Sequence, residues 1–562
     1  MKIASATDFG LKPGNSPLLT GILREALLSL RGAEDVVLRF EPGEYHFYPQ
    51  GGLTRKLCIS NHDRWDGHTA AFALEGFDNF VIDGGGSRFI FHTEILPFYI
   101  AECRNIRLQN FLMDYARPSY SEGTIVSVSP RQMTVEIDED KWGWQIKDKC
   151  LFFSGENFGY PLHLWLEMDG REKGPAYGTD DLYICAGSQK VGLHPLIEEA
   201  GGGRVRFTLQ GEERFFAGSR AGNKLVFRHH PRSHPAFYAV DSAGLVLEKI
   251  RVCHAGGMGF LAERCRDVSL LRLEVMPDEK NPRCFTAAAD AAHFVNCGGD
   301  ILLEECRFEQ QMDDGLNIHG FYSPVVKKAD EYTLLLGWGH RDQQGVRLAR
   351  EGDEAALLDA GNLYSFWRGR FEKVSMQEEN VVVRFDRKLP QVLPENTVAE
   401  NLTLSPKAVI RKCIFRKNRA RGILLTCREA LVEDCLFETA GAAVYMEGEA
   451  CYWYESGAAK AVTLRRNRFI NCSYIPAWGE APVTVHPKVK SREGAFYNGK
   501  LTLSENEFYC FDERVLFVRG TEQIVLENNR YYRTNKYEKR EGARFDIDGC
   551  GSFLKDYRLN EI

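Results

Sequence analysis

The sequence predicts an all-β protein, a right-handed parallel β-helix carrying two inserted small β-barrels and a short capping helix at its N-terminus. Three observations point there: a strand phrase that recurs at coil-sized intervals, a second set of strand-like runs in phase with it, and two long stretches where the rhythm stops.

The phrase reads Ile301-Leu-Leu-Glu-Glu-Cys-Arg-Phe308, then Val409-Ile-Arg-Lys-Cys-Ile-Phe415 and Leu431-Val-Glu-Asp-Cys-Leu-Phe437. It returns at Val462–Phe469, Leu501–Phe508 and Ile524–Tyr531, with Asn467, Asn506 and Asn529 in the place of the cysteine. Cys413 and Cys435 are 22 residues apart, and Asn506 and Asn529 are 23. Periods of this length built from strands read as a solenoid. Such units cannot bury their apolar faces singly and stack into one core. The repeated Cys or Asn is expected to form an internal ladder at one corner of the coil, with a structural role only.

The second set runs through Gly259–Glu263, Ala291–Val295, Gly315–His319, Gly422–Thr426 and Ala443–Glu447. Ahead of both sets, the helical stretch Leu18–Leu30 and Phe40-Glu-Pro-Gly-Glu-Tyr45 are similar to the capping start of pectinase-type β-helices. From about Pro118 to Arg232, and from about Tyr322 to Asn396, alternating strands, Trp residues and charged turns replace the repeat. Loops of that length are rarely structureless, so both are read as inserted β-barrels. The expected division is a cap with the first coils over 1–117, a barrel over 118–235, coils over 236–320, a second barrel over 321–400, and the last coils over 401–562.

The residue before each second strand is Met258, Asp290, Asp314, Arg421 and Ala442. Successive coils lie roughly 4.8 Å apart, so Asp290 and Asp314 should occupy neighbouring rungs of one column, with Asp313 beside them and Arg421 next. Carboxylates so close cannot all ionise freely, and at least one should keep its proton. An acid beside a base is what glycoside hydrolysis requires. The alternative for Asp313-Asp314-Gly315 is a turn with a left-handed glycine.

At Ala289-Asp-Ala-Ala-His-Phe294, Gln311-Met-Asp-Asp-Gly-Leu-Asn-Ile-His-Gly320, Asn418-Arg-Ala-Arg-Gly422 and Trp453-Tyr-Glu-Ser-Gly457 the chain resembles glycoside hydrolase family 110. That resemblance implies a β-helix with inserted barrels and an inverting exo-α-galactosidase that removes terminal α-1,3-linked galactose. It also implies catalytic aspartates at Asp290, Asp313 and Asp314, all present. Asp290 is favoured as general acid, with Asp313 and Asp314 handling the water; the reverse assignment stays open. Arg421 could bond sugar hydroxyls or neutralise the cluster. Glu455, Trp453 and Tyr454 sit in a stretch between coils where a sugar ring could stack. His319 is a further candidate contact, and His293 a lesser one.

A net charge of −7 leaves no basic excess for a nucleic-acid partner. No run approaches a membrane span, and the flat barrel surfaces leave room for a homodimer. None of the sixteen cysteines lies in a C-x-x-C pair and no His-Glu-x-x-His run occurs, so reduced core thiols are expected, and no metal or other cofactor. Met1 to Asn15 shows no apolar leader. A cytoplasmic protein is expected if Met1 is the natural start, and otherwise a secreted or periplasmic one. The competing readings are a polygalacturonase-like hydrolase, which would need basic residues for uronates, a polysaccharide lyase, and a non-catalytic glycan-binding solenoid.

Overall fold

The computed structural model describes all residues except 1, 34, 64, 180–181, 184–193, 211–214, 230–231, 378–379, 490–494, 556–559 and 562. A single helix of three turns, α1 (Leu19–Leu30), buries Leu19, Leu23, Ala26 and Leu27 along one stripe and lays it over the strands His68–Glu75 and Glu44–Phe47. The helical spacing of those apolar residues is what makes it a cap. Its stripe merges into a core that continues through the stacked coils as far as Leu526.

Parallel strands build the rest of the body. One ladder runs Ala243–Val252, Arg266–Val275, Gly298–Glu304, Lys407–Arg411, Glu429–Glu433, Ala461–Arg465, Asn498–Ser504 and Thr521–Glu527. A short ladder from Arg307–Glu309 to Arg530–Arg533 follows it around the corner. Facing these lies the ladder that carries the site. Its strands are β1 (Phe260–Glu263), β2 (Ala292–Val295), β3 (Leu316–Phe321), β4 (Ile423–Leu425) and β5 (Val444–Met446), each hydrogen-bonded in parallel to the next. The rings of Phe415, Phe437, Phe469 and Phe508 stack from coil to coil, with neighbouring planes within 12° of parallel.

The corner ladder is present. The Cys435 and Asn467 N–H groups donate to the side-chain oxygens of Asn467 and Asn506 at 3.0 and 2.9 Å, and Asn506 N–H donates to Asn529 at 3.0 Å. Cys413 N–H meets Cys435 Sγ at 3.4 Å. The residue before each ladder position, namely Glu305, Lys412, Asp434, Arg466, Glu505 and Asn528, has a φ between 52° and 57°. Side chains other than glycine are disfavoured there by roughly 1 kcal/mol or more, and the ladder bonds offset that cost. Asn506→Ala should leave the buried Asn467 N–H without its acceptor, at about 1–3 kcal/mol. Calorimetry should show a lower unfolding temperature, and Asn506→Cys a smaller drop, because other rungs already use sulfur.

Both interruptions are antiparallel. The second closes into a six-stranded barrel of Ser323–Lys328, Thr333–Leu336, Asn380–Phe385, Tyr364–Gln377, Glu354–Asp359 and Thr397–Asn401. The first runs as a seven-strand path from Leu182–Tyr183 to Leu196–Glu199, with the separate three-stranded sheet Trp144–Lys147, Cys150–Gly155 and Phe158–Pro161; among the described residues its two ends do not pair. Every described cysteine is a free thiol. Most are buried, as expected, but Cys58 and Cys451 are exposed. Among the described residues no helix is long and apolar enough to cross a membrane.

Candidate active site

The site follows from strand register. Ala292 pairs with Leu316, and Leu316 with Ile423, so the positions two residues earlier, Asp290, Asp314 and Arg421, occupy successive rungs of one column. The backbone continues the ladder past the strand ends: Gly259 N–H donates to Asp290 O, Ala291 N–H to Asp314 O and Gly315 N–H to Arg421 O, at 2.9–3.0 Å. Gly315 is not a left-handed turn residue, since it is absent from the positive-φ positions. A Cβ there would lie 2.6 Å from the Gly422 carbonyl and 2.5 Å from the Phe415 ring. The glycine permits close coil packing, and the turn alternative for Asp313-Asp314-Gly315 is corrected accordingly.

One carboxylate oxygen from each of Asp290, Asp313 and Asp314 lies within 4.8 Å of the others. Asp290 and Asp314 are buried, whereas Asp313 keeps about 19% of its side chain exposed. Arg421 donates its Nε and its backbone N–H to Asp314 Oδ1, at 2.8 and 2.9 Å. Arg232, on the far side, donates from Nη2 to Asp313 Oδ2 at 3.2 Å. The Asp314 N–H reaches Asp290 Oδ1 at 3.3 Å. Two guanidiniums already supply positive charge to the three carboxylates, so the cluster is not read as a metal site.

Burial, reinforced by the Asp313 charge, pushes Asp290 up to about 8. Burial also raises Asp314, against the pull of Arg421 and with added repulsion from Asp313 and Asp290. One cluster therefore holds a carboxyl raised by burial, Asp290, beside a more exposed one, Asp313, that is paired with a guanidinium, the kind of contrast that acid–base chemistry uses.

The chain is 31% identical to "Alpha-1,3-galactosidase A" of Shewanella woodyi over 548 residues, covering 96% of this chain and 88% of that one. The chain belongs to the α-1,3-galactosidase family. A second member, "Alpha-1,3-galactosidase B" of Akkermansia muciniphila, is 29% identical over 99% of this chain and 70% of its own. The family model described as GLAA-B beta-barrel domain I matches residues 121–219, inside the first insertion. Among solved structures, an exopolygalacturonase from Thermotoga maritima aligns over 99% of this chain and 92% of its own, at 9% identity and a TM-score of 0.38, too remote to argue from.

The remaining expected contacts of this α-1,3-galactosidase family member fall in different places. Arg421 is committed to Asp314, with Glu447 at 3.7 Å and the Tyr445 and Trp478 rings about it. Glu455 lies in a short strand, Glu455–Ser456, antiparallel to the end of β3, rather than in an open loop. It is buried, and that burial raises its carboxyl well above the usual range. Trp453 packs on His340 of the second barrel, ring centroids 4.2 Å apart, and the Tyr454 ring lies against Gly339. Both stand at the seam between coils and barrel. His319 has each ring nitrogen engaged, Nδ1 with Gly320 O at 2.5 Å and Nε2 with His293 at 2.7 Å, which leaves neither for a sugar hydroxyl in this arrangement.

Arg232 and Asp63 were not foreseen. Arg232 N–H donates to Asp63 Oδ2 at 2.8 Å and Asp63 N–H to Arg232 O at 3.0 Å, tying the end of the first insertion to an early loop. Asp63, His62, Trp65, Trp338 and Asp342 line a cleft of about 540 Å³, and of these Asp63 bonds Arg232, whose guanidinium holds Asp313. No sequence signal marks Arg232, since it follows a stretch outside the repeat.

Proposed function

We propose that this protein is an exo-acting glycoside hydrolase that removes terminal α-1,3-linked galactose from glycans, with inversion. The observation that carries the proposal is the convergence of Asp290, Asp313 and Asp314, in a chain whose full-length relatives are named α-1,3-galactosidases. Asp290 gives its proton to the glycosidic oxygen, and the C1–O bond breaks with its electron pair leaving on the aglycone. Asp313, aided by Asp314, takes a proton from the water that attacks C1. One water is consumed, and the two carboxyls return to their starting states by exchange with solvent.

One carboxylate oxygen of each aspartate lies within 4.8 Å of the others, and a water hydrogen-bonded at about 2.7 Å to two oxygens bridges gaps of up to ~5.4 Å. That crowding is tighter than the ~6.5–9.5 Å carboxyl separation common in inverting enzymes and nearer the ~5–5.5 Å of retaining ones. Inversion is supported by the resemblance to the inverting family, and the anomer released first tests it. Proton NMR of a terminal α-1,3-galactoside digest should show β-galactose first. Initial α-galactose would replace the water with a carboxylate nucleophile, and galacturonate or an unsaturated product would remove the galactosidase reading altogether.

The raised Asp290 carboxyl gives the pH profile a sign. Its acid form persists at neutral pH, so kcat/KM should hold through the neutral range and fall on the alkaline side, around pH 8, as that proton is lost. An alkaline limb in the ordinary carboxylate range, near pH ~4–5, would remove Asp290 from the role of acid.

A further inference from the structure

Two excursions from the coils face each other across the cleft of about 540 Å³. One wall comes from residues 56–66 of an early loop, the other from residues 338–345 of the second insertion. The volume lies within the ~300–1,000 Å³ common for small-molecule sites. Hydrolysis at the three aspartates makes no use of it.

Both walls are fastened from behind. Ser60 N–H donates to Glu263 Oε1 at 2.7 Å, Met258 N–H to His62 Nε2 at 3.3 Å, and the Tyr238 hydroxyl to Cys58 O at 3.4 Å, which ties the early loop to the coils. On the other wall Gln343 Nε2 donates to Trp453 O at 2.5 Å, and Gly339 and His340 lie against Tyr454 and Trp453. The walls also hold each other. Asn61 N–H donates to Asp342 O at 3.1 Å, and Arg341 reaches Asp342 at 3.1 Å and Asp63 at 4.0 Å. Gly345 has a φ of 88°, and a Cβ there would lie 2.4 Å from Cys58 Sγ, so glycine lets the two walls close up. A cleft braced in this way is formed before any ligand arrives, and little ordering cost is left for binding.

The lining suits an uncharged sugar. Trp65 and Trp338 are half-buried, and both are held in place: the Trp65 ring lies against His234 with centroids 5.8 Å apart, and Trp338 Nε1 donates to Val346 O at 3.2 Å. An electron-rich indole face takes the apolar C–H face of a pyranose. Asp63, Asp66, Asp342 and Gln344 share the lining, and carboxylates and amides bond hydroxyl groups. Lys56 lines it as well, and the exposed Arg341 stands by two of the carboxylates, yet the described lining stays acidic. A sulfated or uronic sugar would bring its own negative charge against those three carboxylates.

The cleft also lies within reach of the aspartates. Asp63 accepts from Arg232 N–H at 2.8 Å, and Nη2 of the same arginine donates to Asp313 at 3.2 Å. The length of one arginine therefore separates the cleft wall from the cluster, a distance that a short oligosaccharide spans.

We propose that this cleft binds a neutral sugar of the aglycone, beyond the one joined to the departing galactose, and so selects oligosaccharides over disaccharides. The inference rests on the reading of the protein as an exo-acting galactosidase, and it says what the remainder of the substrate is. Trp65 and Trp338 supply the stacking faces, while Asp66 and Gln344 take the hydroxyls.

The test uses a disaccharide with terminal α-1,3-linked galactose and a tetrasaccharide that extends it at the reducing end with neutral hexoses. The parent protein should prefer the tetrasaccharide in kcat/KM, chiefly through KM. Trp65→Ala and Trp338→Ala should each cut that preference by about 5–30-fold, the usual effect of truncating an aromatic that anchors a ligand. A tetrasaccharide sulfated on its added sugars should lose the preference, and if it keeps it the assignment to neutral sugars is overturned. If the parent releases galactose equally well from both neutral substrates, or if the preference survives both tryptophan variants, the cleft proposal is wrong and the galactosidase stands. If neither substrate yields galactose, the galactosidase reading fails. The cleft is then judged alone, by calorimetric titration with the trisaccharide that lacks the terminal galactose: binding that Trp338→Ala weakens supports it, and no binding to the parent overturns it. Should the variants not fold, the exposed Cys58 in the cleft lining reports on the parent protein. Its alkylation, followed by peptide mass mapping with the exposed Cys451 as reference thiol, should slow when the trisaccharide is present. An unchanged rate at Cys58 overturns the proposal.

Discussion

Asp313→Asn is expected to lower kcat by about 10²–10⁴-fold, the usual contribution of a positioned base, while galactose binding stays within a few-fold of the parent. Asp313 is the member of the cluster with solvent access, and Arg232 holds one of its oxygens. Asparagine keeps the shape and the hydrogen-bonding reach but cannot take a proton from water. Steady-state kinetics beside calorimetric titration with galactose separates the two effects. A glycan-binding solenoid without chemistry would lose nothing essential in this variant, so turnover within a few-fold of the parent would end the catalytic reading of the cluster.

Arg421→Met is expected to carry the largest cost in stability. Its guanidinium neutralises Asp314 from within hydrogen-bond distance, and both side chains are largely buried. Removing one partner of a buried pair leaves a charge without compensation, at about 3–5 kcal/mol, unless the survivor takes up a proton. The sign with pH follows. The Asp314 carboxyl is already raised in the folded protein, so its contribution to stability is fully present below the unfolded value and declines as pH rises through the folded one. Losing Arg421 raises that folded value further. The deficit of the variant should therefore be small at acid pH and widen toward pH 8. Denaturant unfolding at several pH values measures it, and a deficit independent of pH would mean that Arg421 serves only as packing between Tyr445 and Trp478. Lysine should rescue poorly, because a point charge cannot reproduce the planar contact.

The coil phrase was legible because each rung repeats the same local demands: alternating apolar residues, an aromatic at the end, and a Cys or Asn at the corner. The column Asp290–Asp314–Arg421 was legible for the same reason, since each residue stands just before a strand of the same ladder. The glycine after Asp314 was harder to read. The same dipeptide suits a tight turn or a close approach of two coils, and only the position of the Gly422 carbonyl separates the two. Trp453 and Tyr454 suggested a sugar platform by composition, and the structure sets them against His340 and Gly339 of the second insertion. Nothing local marks that use, because the barrel surface they meet is built from a different stretch of chain.

The sequence by itself determined the β-helix, the two interruptions and the rung-to-rung alignment of the acidic residues, because parallel backbone pairing turns a repeat spacing directly into a position in space. The tertiary structure alone decided which groups surround those residues. Arg232 arrives from the end of an insertion, Glu455 from an antiparallel strand of a later coil, and the His293–His319 contact from a diagonal across two strands. Side-chain direction and the closure of long excursions depend on packing between distant segments, and no interval along the chain encodes them.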